Sequence, residues 1–210
     1  MAPTMNESSS EQTESMTFFS LILLRGCVEF AKSAQTECLG DRIIEKNTAC
    51  VMFAAAYIEA TLNEYLELFC VVDDSPEVPR DYWESVIRIQ KKVQVPEKWD
   101  LIASIAGGKI WDSSCDPFQF FDDIIALRNE LIHYKGRFLE VGKAPTNRLT
   151  RLVEKFQLQS QVVVGDGPKV SSWVIELLSN ERLADWIAKQ LSEFHQIRNE
   201  LLLGKSGSQQ

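Results

Sequence analysis

The run CVMFAAAYIEATLNEYLELF, Cys50–Phe69, constrains the fold more than any other part of the chain. It is almost wholly apolar from Cys50 to Leu62, with one carboxylate, Glu59, inside it. A segment this long has to be a helix. Asn47 or Thr48 stands where an N-cap belongs, and Asp73-Asp74-Ser75-Pro76 ends the segment, so the helix is expected to run to about Val72. Asn63 follows Glu59 by four residues and falls on the same helical face.

The same periodicity recurs along most of the chain. Met16–Cys38 has apolar residues at helical intervals and stops at Gly40. A third helix is expected after Pro79, through Tyr82, Trp83, Val86, Ile87 and Ile89. PEKWDLIASIA opens at Pro96 and is terminated by Gly107-Gly108. Asp116 and Pro117 stand as N-cap and first residue of a helix reaching Tyr134 or Lys135, with Gly136 beyond it. A short basic segment, Asn147–Gln159, precedes Gln161–Val164, the one extended stretch. Trp173–Leu178 and a helix to Leu203 close the chain. The fold class is therefore all-α: an up-and-down helical bundle with at most a minor extended segment near 161–164. The polar stretches at 1–15 and 204–210 offer almost nothing to bury and read as disordered tails, leaving 16–203 as one domain.

No basic region leads into an apolar one at the N-terminus, and FFSLILL (Phe18–Leu24) is far short of the ~20 residues a membrane span needs. Five cysteines, odd in number and without a CxxC pair, read as buried free thiols in a reducing cytoplasm. The net charge of −8 is unevenly placed: residues 1–75 hold 12 acids and 4 bases, while 76–210 hold 18 of each. Within the second part, residues 128–155 carry seven Lys or Arg against three Glu, so that stretch is locally basic.

Several chemistries lack their residues. There is no GxxxxGK[ST] phosphate loop, and Gly107-Gly108-Lys109 is too short to be more than a turn. The two histidines and scattered cysteines show no zinc spacing, and the two Glu-x-x-His pairs that a carboxylate-bridged centre in a bundle needs are not both present, Glu130–His133 being the single one. No GxSxG or Cys–His nucleophile arrangement is present. No cofactor and no metal are expected.

What remains is LRNELIHYKG, Leu127–Gly136. On a wheel of ~100° per residue, Phe121, Ile124, Ile125, Leu127, Leu131 and Ile132 all fall within roughly 100° of Arg128. Arg128 is thus centred in an apolar face, where an unpaired charge is costly. Glu59 is its natural partner, so Glu59, Asn63, Arg128, Asn129 and His133 are expected to form one polar patch between two helices. Asn129 and His133 stack on one flank, and Glu130 and Asp123 point away as solvated residues. An interhelical ion pair with a structural histidine is the plain alternative. The second RNEL, Arg198–Leu201, has Leu203 in place of the His and reads as a helix surface.

Arg128-Asn129 followed by His133 resembles the R-N-x-x-x-H signature of HEPN domains, the higher-eukaryote-and-prokaryote nucleotide-binding helical bundles. Tyr57-Ile58-Glu59-Ala60 with Asn63, the PEKW at Pro96–Trp99 and the segment from Trp173 to Ala188 are also similar to bacterial members, so the resemblance covers roughly residues 45–190. It implies a homodimer in which two copies of the motif helix face each other across one cleft. It further implies cleavage of RNA without a metal, the 2′-hydroxyl attacking the adjacent phosphate to leave a 2′,3′-cyclic phosphate. Arg128 and His133 would be catalytic, with Asn129, Glu59 and Asn63 in support, in a toxin or phage-defence setting with a cognate antitoxin or partner protein. Tyr134 directly follows His133, unlike the His-x-Tyr of toxins silenced by modification of that Tyr, so this regulation is not carried over. Other HEPN proteins keep the signature and act as non-catalytic modules that bind a partner protein, a nucleotide or RNA, which is the alternative function.

Overall fold

The structure is a computed structural model that describes residues 18–72, 84–86, 88, 92–133, 149–158 and 173–202. All its regular elements among these residues are helices: α1 (Ser20–Gln35), α2 (Gly40–Val72), α3 (Val95–Ala106), α4 (Phe118–Ile132), α5 (Thr150–Lys155), α6 (Trp173–Leu178) and α7 (Leu183–Leu202). Residues 84–86 are also helical and coincide with the segment expected after Pro79. The all-α bundle is as the periodicity predicts. The extended segment at 161–164, Tyr134 to Gly136, and the two terminal tails lie outside the described residues.

α2 is the central rod. α1 runs back along it, since Ser20 meets Glu64, Cys27 meets Cys50, and Lys46 reaches Ser33. α7 runs in the same direction as α2, with Ala184 beside Asn47 and Arg198 beside Tyr57. α3 and α4 cover the other side of α2. One continuous apolar core joins these helices, centred on the fully buried Tyr57, Trp99, Phe120, Phe121 and Phe194. Its aromatic rings meet edge to face: Phe121 stands 4.4 Å from Phe194, and Trp99 stands 4.9 Å from Phe118. Each such pair contributes about 0.5–1.5 kcal/mol beyond the area it buries. Together they fix α3 and α4 against the α2–α7 layer.

Four boundaries differ from the sequence expectation. α2 begins at Gly40 rather than at Asn47 or Thr48, and α1 ends earlier, at Gln35 with Thr36 as C-cap. Asn47 does cap, but it caps other helices. Its Nδ2 donates to the carbonyls of Leu178 (2.6 Å) and Asn180 (3.0 Å), and its Oδ1 accepts from Ala184 N–H (3.2 Å). It thereby satisfies the end of α6 and the start of α7 from inside the core. Pro117 is the N-cap of α4 rather than its first residue, and α4 stops at Ile132 with His133 as C-cap.

α3 behaves as predicted at both ends. Gln94 and Glu97 form a reciprocal capping box, and Gly107, at φ +71°, takes the left-handed stop. Gly108 is required by close approach, because a Cβ there would collide with the carbonyls of Leu201 and Leu202.

Among the cysteines, Cys27 and Cys50 are buried, each thiol facing the other residue's carbonyl, but Cys38 and Cys115 are exposed. All four are free thiols, so the expectation of burial holds for two of them. No helix among the described residues is long and apolar enough to cross a membrane.

Candidate functional site

The pairing expected from the sequence is present. Arg128 Nη2 of α4 donates to Glu59 Oε1 of α2, and the two charges form an ion pair across the helix–helix groove. The pair is not sealed in the core: the Arg128 side chain is 24% exposed and that of Glu59 is 42% exposed. The wheel placed Arg128 inside an apolar face, and the structure sets it at the rim of that face. Phe121, Ile124 and Leu127 are buried below it, while Ile132 is 54% exposed beside it.

Asn63, one turn after Glu59, joins the cluster through a residue that the sequence reading passed over. Lys98 of α3, the lysine of PEKW, donates from Nζ to Asn63 Oδ1 at 2.8 Å. Lys98 is only 9% exposed. Burial pulls its ammonium below the usual lysine range, and the neighbouring Glu59 carboxylate opposes that shift. Two cations, Arg128 and Lys98, therefore share one carboxylate, which leaves the groove locally positive. The signal that could have found Lys98 is its place in a short helix between Pro96 and buried Trp99. A long charged chain there can only run inward along the core.

Asn129 and His133 are both exposed, on the last turn of α4 and at its C-cap. His133 N–H donates to the Asn129 carbonyl at 2.9 Å, which closes the helix. Among the described residues no hydrogen bond fixes the His133 ring or the Asn129 side chain. So the structure brings Glu59, Asn63 and Arg128 together with Lys98, and leaves Asn129 and His133 open at the adjoining helix end.

Asp123 is a correction. Instead of being solvated it is 5% exposed, and Arg151 of α5 clasps its Oδ1 through Nε (3.1 Å) and Nη2 (2.6 Å). Burial raises its carboxyl above the usual range, and Arg151 opposes the rise.

The second RNEL is also corrected. Arg198 is half-buried, and its Nη1 donates to Tyr57 Oη (3.0 Å) and to His195 Nδ1 (2.8 Å). A ring nitrogen that accepts carries no proton, so Tyr57 O–H donates to the same Nδ1 at 3.0 Å and the His195 proton sits on Nε2. Burial lowers the His195 pKa first, and Arg198 adds to the effect. Burial raises the Tyr57 pKa, with Arg198 opposing. His195 precedes Arg198 by three residues, one helical turn, and that spacing was the available signal.

No group of three His, Cys, Asp or Glu side chains among the described residues is placed to hold a metal ion. Comparison of the chain with protein-family models, with curated proteins and with solved structures gives no match, so the functional reading rests on the geometry of these side chains.

Proposed function

We propose that this chain is a metal-independent endoribonuclease of the HEPN type, cutting RNA in a cleft built by two copies. The observation that carries this is the open Arg128–Glu59 pair. The pair lies at the surface beside Asn129 and His133, where a phosphate can reach the guanidinium, with Lys98 behind it. His133 takes the proton of a 2′-hydroxyl as that oxygen attacks the adjacent phosphorus. Arg128 and Lys98 stabilise the charge on the non-bridging oxygens of the phosphorane. The 5′-oxygen leaves with a proton from the His133 of the other copy, and a 2′,3′-cyclic phosphate remains. Glu59 holds Arg128 in place, and Asn63 holds Lys98. The resemblance to HEPN toxins sets this activity in the cytoplasm, in a toxin or phage-defence role with a cognate antitoxin.

A second function, a non-catalytic HEPN-like module that binds a partner protein, a nucleotide or RNA, is favoured by one observation. Glu59 already neutralises Arg128, and nothing among the described residues orients the His133 ring. Incubation with total RNA in EDTA separates the two, comparing the protein with Arg128→Ala and His133→Ala. Cleavage should fall by about 100-fold or more in each variant. Cleavage that persists in both would reject this site, and no cleavage by the unaltered protein would favour the binding module.

A further inference from the structure

The buried face of α7 changes character along its length. From Leu183 to Phe194 its buried residues are all apolar, and the next one is Leu202. Between Phe194 and Leu202, α7 meets α2 through polar side chains: His195 and Arg198 on Tyr57, and Asn199 on Tyr65. His195 is the joint of this seam. Its Nδ1 accepts from the Tyr57 hydroxyl (3.0 Å) and from Arg198 Nη1 (2.8 Å), an arrangement that requires a nitrogen without a proton. A proton on Nδ1 turns that acceptor into a donor facing a guanidinium, and sets two cations in contact.

The surroundings sharpen the conflict. None of the ion pairs among the described residues includes Arg198, and its Nε is buried without a partner. From α2 the titratable groups here are Tyr57, Tyr65 and Glu64. Both tyrosines are neutral, and both oxygens of Glu64, the acid across the adjoining cavity, accept from Ser20. From α1 comes a positive charge: Gln35 bonds Asp185 at 2.7 Å and the helices run antiparallel, so Arg25 lies level with His195. α3 meets this part of α7 through Trp99 on Phe194, an apolar contact. Burial and then Arg198 oppose protonation of the ring.

We infer that His195 is an acid-sensitive latch. Neutral, it fastens the C-terminal part of α7 to α2; protonated, it is repelled by Arg198 and that part of α7 loosens. The neutral ring favours the closed helix. Its contribution is therefore complete above about pH 6.5, the ordinary histidine value, and is lost as pH falls through the lower folded value. The effect passes beyond α7, because the Leu201 carbonyl accepts from Lys109 N–H (2.7 Å) and the Lys109 carbonyl from Trp99 Nε1 (2.7 Å). The turn after α3 loosens with it. The latch does not depend on the activity proposed for the Arg128 groove.

Titration of the histidine ring signals by NMR, with amide hydrogen exchange of the full-length protein at about pH 7 and pH 5, tests this. The chain has two histidines, so His133→Gln assigns the signals of His195. His195 is expected to titrate below about 6.5, and Arg198→Met should move it upward. Corrected for intrinsic rates, protection at residues 199–202 and at Lys109 should fall by about tenfold or more on acidification, the factor carried by one hydrogen bond from a charged donor. Val51 and Ala54, in the core half of α2, should keep theirs. His195→Asn, whose Oδ1 accepts in place of Nδ1 and takes no proton, should show no such fall. Titration of His195 at or above about 6.5, unchanged protection at residues 199–202, an equal loss at Val51 and Ala54, or the same loss in His195→Asn would each overturn the latch.

Discussion

Asp123 and Arg128 stand five residues apart on α4, both paired across helices, and burial separates their roles. Asp123 is closed over and shares two hydrogen bonds with Arg151, so its partner is part of what makes the carboxylate tolerable in the core. Arg128 is half open, and exposed pairs of that kind contribute about 1 kcal/mol or less. Arg151→Met is therefore expected to cost about 2 kcal/mol at pH 7, a figure already reduced for the partial exposure of Arg151. Asp123 already has a folded pKa above its unfolded one. That condition favours the folded state below the unfolded pKa and disfavours it as pH rises through the folded value. Removing Arg151 widens the gap, so the loss should shrink as pH falls toward about 3, where Asp123 is mostly protonated in both states. Urea melts at about pH 3 and pH 7 check this, and a loss independent of pH would show that Asp123 is not the group responsible. At this scale the pairing of Glu59 with Arg128 was legible, because one charge in each of two apolar stripes leaves few other solutions. The burial of Asp123 was not, because Asp123 lies outside the apolar stripe of its own helix and only tertiary packing brings Arg151 of α5 onto it.

Among the elements, α2 does most of the organising, and Asn47 shows how. Three hydrogen bonds from one side chain finish α6 and start α7, so a residue of α2 fixes the turn between two helices more than 130 positions later. Asn47→Ala leaves two carbonyls and one N–H short of partners in the core, at a cost of about 3–5 kcal/mol. The melting temperature should fall by roughly 8–15 °C. A fall of no more than about 2 °C would mean that water replaces the side chain at this joint. The helices themselves could be read from periodicity and from the glycine and proline stops, and α3, α6 and α7 lie within about two residues of their expected positions. The misplaced boundaries were those set by a residue with two possible uses. Asn47 has the chemistry of an N-cap and Gly40 that of a stop, and only the tertiary structure shows that Asn47 caps α6 and α7 instead of its own helix and that Gly40 starts α2.

For the molecule as a whole, the open side of α4 bears on assembly. Ile132, 54% exposed next to Arg128, Asn129 and His133, is an apolar contact of the kind a facing copy would cover. If the cleft is shared, Ile132→Glu should convert a dimer at micromolar concentration to a monomer in sedimentation. It should also reduce RNA cleavage by about 100-fold, with the melting temperature within about 2 °C of the parent. A variant that stays dimeric and active would rule out this face. The second RNEL is the instructive contrast, since the same four letters at Arg198 bury their arginine against Tyr57 and His195 beside a cavity. The sequence by itself determined that the chain is helical, where most helices lie, and that Glu59 and Arg128 meet, because apolar periodicity and the cost of an unpaired charge act within or between single helices. The tertiary structure alone decided that Lys98 joins that pair, that Asp123 is buried, that Asn47 caps distant helices and that Arg198 borders a cavity. Each depends on which helix packs beside which, and distances across a bundle are not encoded in the spacing of any one element.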